Sequence, residues 1–134
     1  TAGLDPAVAS WNARKLLLAE ELDSWGADII CLQEVDHYHD FFQPFLAERG
    51  YEGVYLPRGG DKPDGCATFW RTQRLQVTRS RGLNFNISQT FDRNNVALLV
   101  ELQCGGGSGG ARERARGSGS SSKAREHRAD DGEA

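Results

Sequence analysis

An α/β fold is predicted for this chain by a helical face recurring at Trp11, Leu18, Leu22 and Trp25, by an apolar run of strand length at residues 27–35, and by four further strand-like stretches. The chain has 134 residues and a formal charge of −3, which allows one domain and a modest core. Residues 1–104 carry all of the patterning, so the domain is placed there. Residues 105–134 are a mixture of Gly, Ser, Ala and Arg with no large apolar side chain, the composition of a disordered tail.

The elements follow in order. Asp5-Pro6 provides an N-cap and a first-turn proline, and Ser10 offers a second cap. The helical face from Trp11 to Trp25 is expected to pack into a core, with Gly26 as its stop. Residues 27–35 then form a strand of the buried type. Residues 37–49 read as a second helix that turns Phe41, Phe42, Phe45 and Leu46 inward, is shortened or kinked by Pro44, ends at Gly50 and is capped by Asp36. Strands are expected at 51–56, 65–71, 75–80 and 95–102. A loop rich in Gly, Lys, Arg and Asp occupies 57–64, and a polar connection containing Asn84, Asn86, Asp92 and Asn94 precedes the last strand.

Glu34 is the residue that speaks most directly of chemistry. It closes the run Ile29-Ile-Cys-Leu-Gln-Glu34, and an acid ending an apolar strand needs a partner. A divalent cation is one such partner; a neighbouring loop donor is another. The crevice beyond the carboxyl ends of strands in open α/β sheets is where ligands sit. Asp36, His37, His39 and Asp40 follow closely, but on a helix positions 37 and 39 point about 200° apart and do not converge on one ion.

The segments Cys31-Leu-Gln-Glu-Val-Asp-His-Tyr38, Gln43-Pro44, Gly50-Tyr51 and Lys62-Pro-Asp-Gly-Cys-Ala-Thr-Phe-Trp-Arg71, in this order and spacing, resemble the endonuclease/exonuclease/phosphatase superfamily. Within it they are most similar to the branch of carbon-catabolite-repressor deadenylases, nocturnin and the Angel proteins. The resemblance implies part of a four-layer α/β sandwich, namely its first sheet with flanking helices. It also implies Mg²⁺-dependent hydrolysis of phosphodiester bonds in poly(A) RNA, working 3′ to 5′, with Glu34 as the magnesium ligand. A substrate-binding role is implied for Arg58, with Lys62 and Asn95 as further candidates; Asp64-Gly65 reads equally as a turn pair. The pattern Arg58-x-Gly-x-Lys-Pro-Asp-Gly-Cys-Ala is closer to the Angel type, so a phosphatase acting on a nucleotide or a terminal phosphate is the alternative. A non-catalytic interaction fragment or truncated gene product is a third reading, because no Gly-Asp-x-Asn and no Ser-Asp-His stands in the sequence. General base catalysis contributes about 10² to 10⁴-fold, so these residues by themselves are expected to turn over no substrate.

Composition narrows the setting. The tail carries a charge of +1 and the remainder −4, which is not the balance of a basic nucleic-acid module. Cys31, Cys66 and Cys104 are odd in number and widely spaced, so no disulfide framework and no zinc knuckle is expected. A reducing intracellular compartment, cytoplasm or nucleus, follows as the default. There is no apolar run of membrane-spanning length and no signal-peptide pattern. The start at Thr1 reads as a missing amino-terminal part, and the abrupt change after Cys104 as a truncated gene product or a reading-frame shift. The pattern says nothing about an oligomer.

Overall fold

The computed structural model describes residues 10–85 and 93–105. Asp5-Pro6, the tail and the middle of the polar connection lie outside the described residues. Helix α1 (Trp11–Trp25) opens on Ser10, whose extended backbone turns its hydroxyl to accept from the Ala13 amide at 3.3 Å. Gly26 ends the helix with φ +55°, a conformation that carries a penalty for residues with a Cβ. The predicted inward face is only partly correct. Leu22 is buried and Trp11 and Leu18 pack against the core, but Trp25 is 48 % exposed. Its indole Nε1 donates to Glu21 Oε1 at 2.9 Å, so it is held on the surface by its own helix. Leu16 and Leu17 are also exposed.

Strand β1 (Ile29–Val35) starts two residues later than the pattern predicts. It is not buried on both faces. Ile30 and Val35 are buried while Ile29 and Cys31 are exposed, the alternation of a strand covered on one side. The helix expected at 37–49 is replaced by a π-helical turn (Tyr38–Phe42) leading into a short helix α2 (Gln43–Ala47). Pro44 explains the change. It has no amide to donate, and its ring crowds the carbonyl four residues back, so the preceding turn widens until Phe42 and Gln43 bond to carbonyls five residues earlier. Asp36 does not cap this element. His37 precedes it with no side-chain cap, and its ring Nδ1 lies 2.7 Å from Asp40 Oδ2. Gly50 closes the segment with φ +84°.

Strands β2 (Tyr51–Pro57) and β3 (Gly65–Arg71) complete an antiparallel sheet in the order β1-β3-β2. Its central strand is buried on both faces. Ala67 and Phe69 join the core formed with Leu22, Ile30, Tyr38, Phe42 and Leu46, whereas Thr68 and Trp70 are buried on the other face. Strands β4 (Leu75–Asn84) and β5 (Val96–Cys104) form a separate antiparallel ribbon, with β5 running close to β3 and β2. Both ribbon strands are longer than their alternation predicts, because Asn84 pairs with Val96 and Leu75 with Cys104. Among the described residues no helix is long and apolar enough to cross a membrane, and Cys31, Cys66 and Cys104 are free thiols.

Candidate metal and phosphate site at the end of the sheet

Glu34 leaves β1 at a β-bulge. Pairing with β3 runs without interruption from Ile29 to Leu32, then shifts before resuming at Val35 opposite Gly65. Within the shift Glu34 adopts φ +55°, a left-handed conformation uncommon for a residue with a side chain. Such a conformation costs on the order of 1–3 kcal/mol and persists only where the surroundings impose it; bulges are enriched beside active sites, where they re-aim a side chain. The Glu34 carboxylate is exposed and makes no hydrogen bond or ion pair among the described residues. It lines the mouth of a cleft of about 250 Å³ between α1 and β1, together with Trp11, Arg14, Leu22 and Asp36.

Register explains what stands near it. Gly65 is the partner of Val35 on one side and of Pro57 on the other. The residue after Glu34 and the residue before Arg58 therefore flank one glycine at the same end of the sheet. Gly65 is required there, since a Cβ would fall 2.8 Å from Pro57 Cα and 2.8 Å from a ring carbon of Tyr55, with the Leu56 carbonyl closer still. Antiparallel pairing, rather than the crevice of an open α/β sheet, brings these positions together. The sheet is antiparallel throughout.

Arg58 is already engaged. Nη1 pairs with Asp64 at 3.2 Å, Nε donates to the Asn94 carbonyl at 3.2 Å, and Nη2 donates to the Arg93 carbonyl at 2.7 Å and to Asn95 Oδ1 at 3.4 Å. These contacts bind the 58–64 loop to the entry of β5. Asn94 helps, with φ +53° and its amide so close to Gly60 that a Cβ there would lie 2.7 Å from Nδ2. Arg58 and Asn95 are thus brought together, and Lys62 is exposed on the same loop. Asp64, read from the sequence with Gly65 as a turn pair, is the side chain that anchors Arg58.

The histidines diverge. His37 stacks on Trp11 with centroids 3.8 Å apart, while His39 meets the edge of Tyr55 at 5.9 Å. Among the described residues no three His, Cys, Asp or Glu side chains converge as a metal cage. Mg²⁺ keeps several waters and takes one or two protein carboxylates, so Glu34 is the residue that would hold such an ion here. Tyr55 is the residue that sequence reasoning missed. Its hydroxyl donates to the Val35 carbonyl at 3.0 Å, and its ring stacks on Tyr38 at 4.6 Å. Burial first, and then the negative charges of Asp64 and Asp36, raise its pKa, so its hydroxyl holds its proton further into the alkaline range than a free phenol does.

This end of the sheet thus presents one strained, exposed carboxylate and a loop clasped through Arg58. Residues 2–113 match the Endonuclease/Exonuclease/phosphatase family, and the chain belongs to it. Its relatives lie in the nocturnin, carbon-catabolite-repressor and Angel branch. It is 38 % identical over 103 residues to human nocturnin, covering 70 % of this chain and 24 % of that one. It is 44 % identical over 93 residues to carbon catabolite repressor protein 4 homolog 3 of Arabidopsis thaliana, covering 69 % and 20 %. The chain spans between 12 % and 26 % of the length of the curated relatives it matches. Among solved structures, the human nocturnin catalytic domain with bound sulfate superposes with a TM-score of 0.65 at 36 % identity, covering 73 % of this chain and 39 % of that one. ANGEL2, described as a 2′,3′-cyclic phosphatase, superposes with a TM-score of 0.70 at 34 % identity, covering 75 % and 30 %.

Proposed function

We propose that these residues form the Glu34-bearing part of a Mg²⁺-dependent phosphodiester hydrolase of the poly(A) 3′-to-5′ exoribonuclease type. The observation that supports this most is the bulge that holds Glu34 in a left-handed conformation at the sheet end, with its carboxylate open to solvent. Glu34 would hold the metal, and the bound ion would supply charge neutralisation at a phosphoryl oxygen. Lys62 stands on the adjoining loop as a cation for substrate phosphate. Arg58 and Asn95 would serve the substrate chiefly by fixing that loop, unless phosphate draws the guanidinium from Asp64. One carboxylate cannot position an attacking water and a leaving group together, so turnover requires groups beyond these.

The second reading, a phosphatase on a nucleotide or terminal phosphate, is favoured by the ANGEL2 superposition and the Arg58-x-Gly-x-Lys-Pro-Asp-Gly pattern. The test uses two substrates, oligo(A) and adenosine 2′,3′-cyclic phosphate, with Mg²⁺. The protein as expressed in its source is expected to release AMP from oligo(A) and to lose that activity in Glu34→Ala. Opening of the cyclic phosphate without AMP release would select the phosphatase reading. The 134 residues alone are expected to turn over neither substrate. Full activity in Glu34→Ala would overturn the metal role.

A further inference from the structure

We propose that Tyr55 is a positioning residue for Glu34, a role that rests on Glu34 being the metal ligand. The geometry is specific. The bulge frees Gln33 and Glu34 from the ladder, so the direction of the Glu34 side chain depends on how firmly the chain is gripped at Val35. Besides the burial of its side chain in the core, two backbone contacts grip it: pairing with Gly65, and the Tyr55 hydroxyl on the Val35 carbonyl at 3.0 Å. The hydroxyl reaches from β2 across β3, passing the position where Gly65 leaves room for the Tyr55 ring. The ring is itself fixed, stacked at 9° on the buried Tyr38 and met edge-on by His39. Tyr55 therefore ties the metal-bearing bulge to the aromatic core through one hydrogen bond, and it touches neither metal nor substrate.

A backbone held in an uncommon conformation relaxes once its outer anchor is removed, and a carboxylate that samples several directions binds a cation more weakly than one held in place. Phenylalanine keeps the ring and its stack and deletes only the anchor. Tyr38→Phe is the matched control, because it removes a hydroxyl from the neighbouring ring of the same stack without touching Val35.

The experiment is an NMR titration of the full 134-residue chain with Mn²⁺, following paramagnetic broadening of the Glu34, Val35 and Gly65 amides, with thermal midpoints measured in parallel. Tyr55→Phe is expected to raise the apparent Kd about three- to tenfold, the reach of one lost hydrogen bond in a binding constant. Tyr38→Phe should leave it unchanged, and Glu34→Gln should abolish the broadening. If Glu34→Gln abolishes broadening while Tyr55→Phe leaves the Kd at its original value, the positioning role is wrong and the metal role stands. If broadening persists in Glu34→Gln or never centres on these amides, the metal role fails and Tyr55's role with it. A Kd raised equally by Tyr38→Phe would reduce Tyr55 to general packing and overturn the proposal.

Discussion

The β1-β3-β2 sheet and the β4–β5 ribbon are both antiparallel ladders, each with one register shift, yet they differ in what covers them. In the sheet, Ala67, Phe69 and Trp70 of the central strand are at most 2 % exposed. In the ribbon no residue of either strand is buried, and Leu99 is 51 % exposed. Hydrogen-bonded pairing is thus common to both, while burial of apolar area is confined to one. Since area removed from water supplies most of the stabilisation, the sheet should carry the stability of the described residues. The ribbon should depend on its attachments, of which the Arg58 clasp is the most polar.

The sharpest break of this contrast is truncation of one apolar side chain on each side. Phe69→Ala is expected to destabilise the chain by about 3–5 kcal/mol, whereas Leu99→Ala should stay within about 0.5 kcal/mol. Denaturant unfolding of both variants checks the pair, and comparable losses would show that the ribbon is covered in solution.

Alkaline titration provides a second separation. Burial pushes the Tyr38 phenol up to about 12 from its ordinary 10. The folded form thus holds its proton more tightly than the unfolded form. The associated stability is complete below pH 10 and is lost as pH rises through about 12, a difference on the order of 2–3 kcal/mol. Stability curves of the unmodified chain and Tyr38→Phe should diverge over that window and run parallel below it.

The smallest expected effect sharpens the role of the clasp. Arg58 and Asp64 side chains are 22 % and 15 % exposed, so their pairing is partly sheltered from solvent. Arg58→Ala should cost about 1–2 kcal/mol, allowing for that partial screening. Amide hydrogen exchange should locate the loss in β4 and β5, with the amides of β1 and β3 little changed. Uniform acceleration would mean that the ribbon and the sheet open together.

Much of the fold was legible because local signals agreed with the tertiary solution. Ser10 and Gly26 bound the first helix as their chemistry requires, and β3 was found with its boundaries because Gly65 and Arg71 bracket an apolar-rich run of strand length. The second helix was misread for a local reason: a single Pro44 can be accommodated by a kink, a stop or a widened turn, and packing of Tyr38, Phe42 and Leu46 into the core selects among them. Glu34 was visible as a residue but not as a conformation. Nothing in Gln33-Glu34 announces a bulge, because the extra residues are defined only against the partner strand.

The sequence by itself determined the residue types and their order, from the strand-end acid to the Gly-rich charged loop and the Asp-Gly pair, since these depend on local propensity and motif spacing. Tertiary structure decided which of them meet. Glu34, Arg58 and Asp64 share one end of the sheet because Val35 and Pro57 both pair with Gly65. Arg58 closes on the entry to β5 across more than 30 residues of sequence, and the Tyr55 hydroxyl reaches Val35 from two strands away. Contacts at such separations follow from sheet register, which is set by pairing along whole strands and is not encoded at any one position.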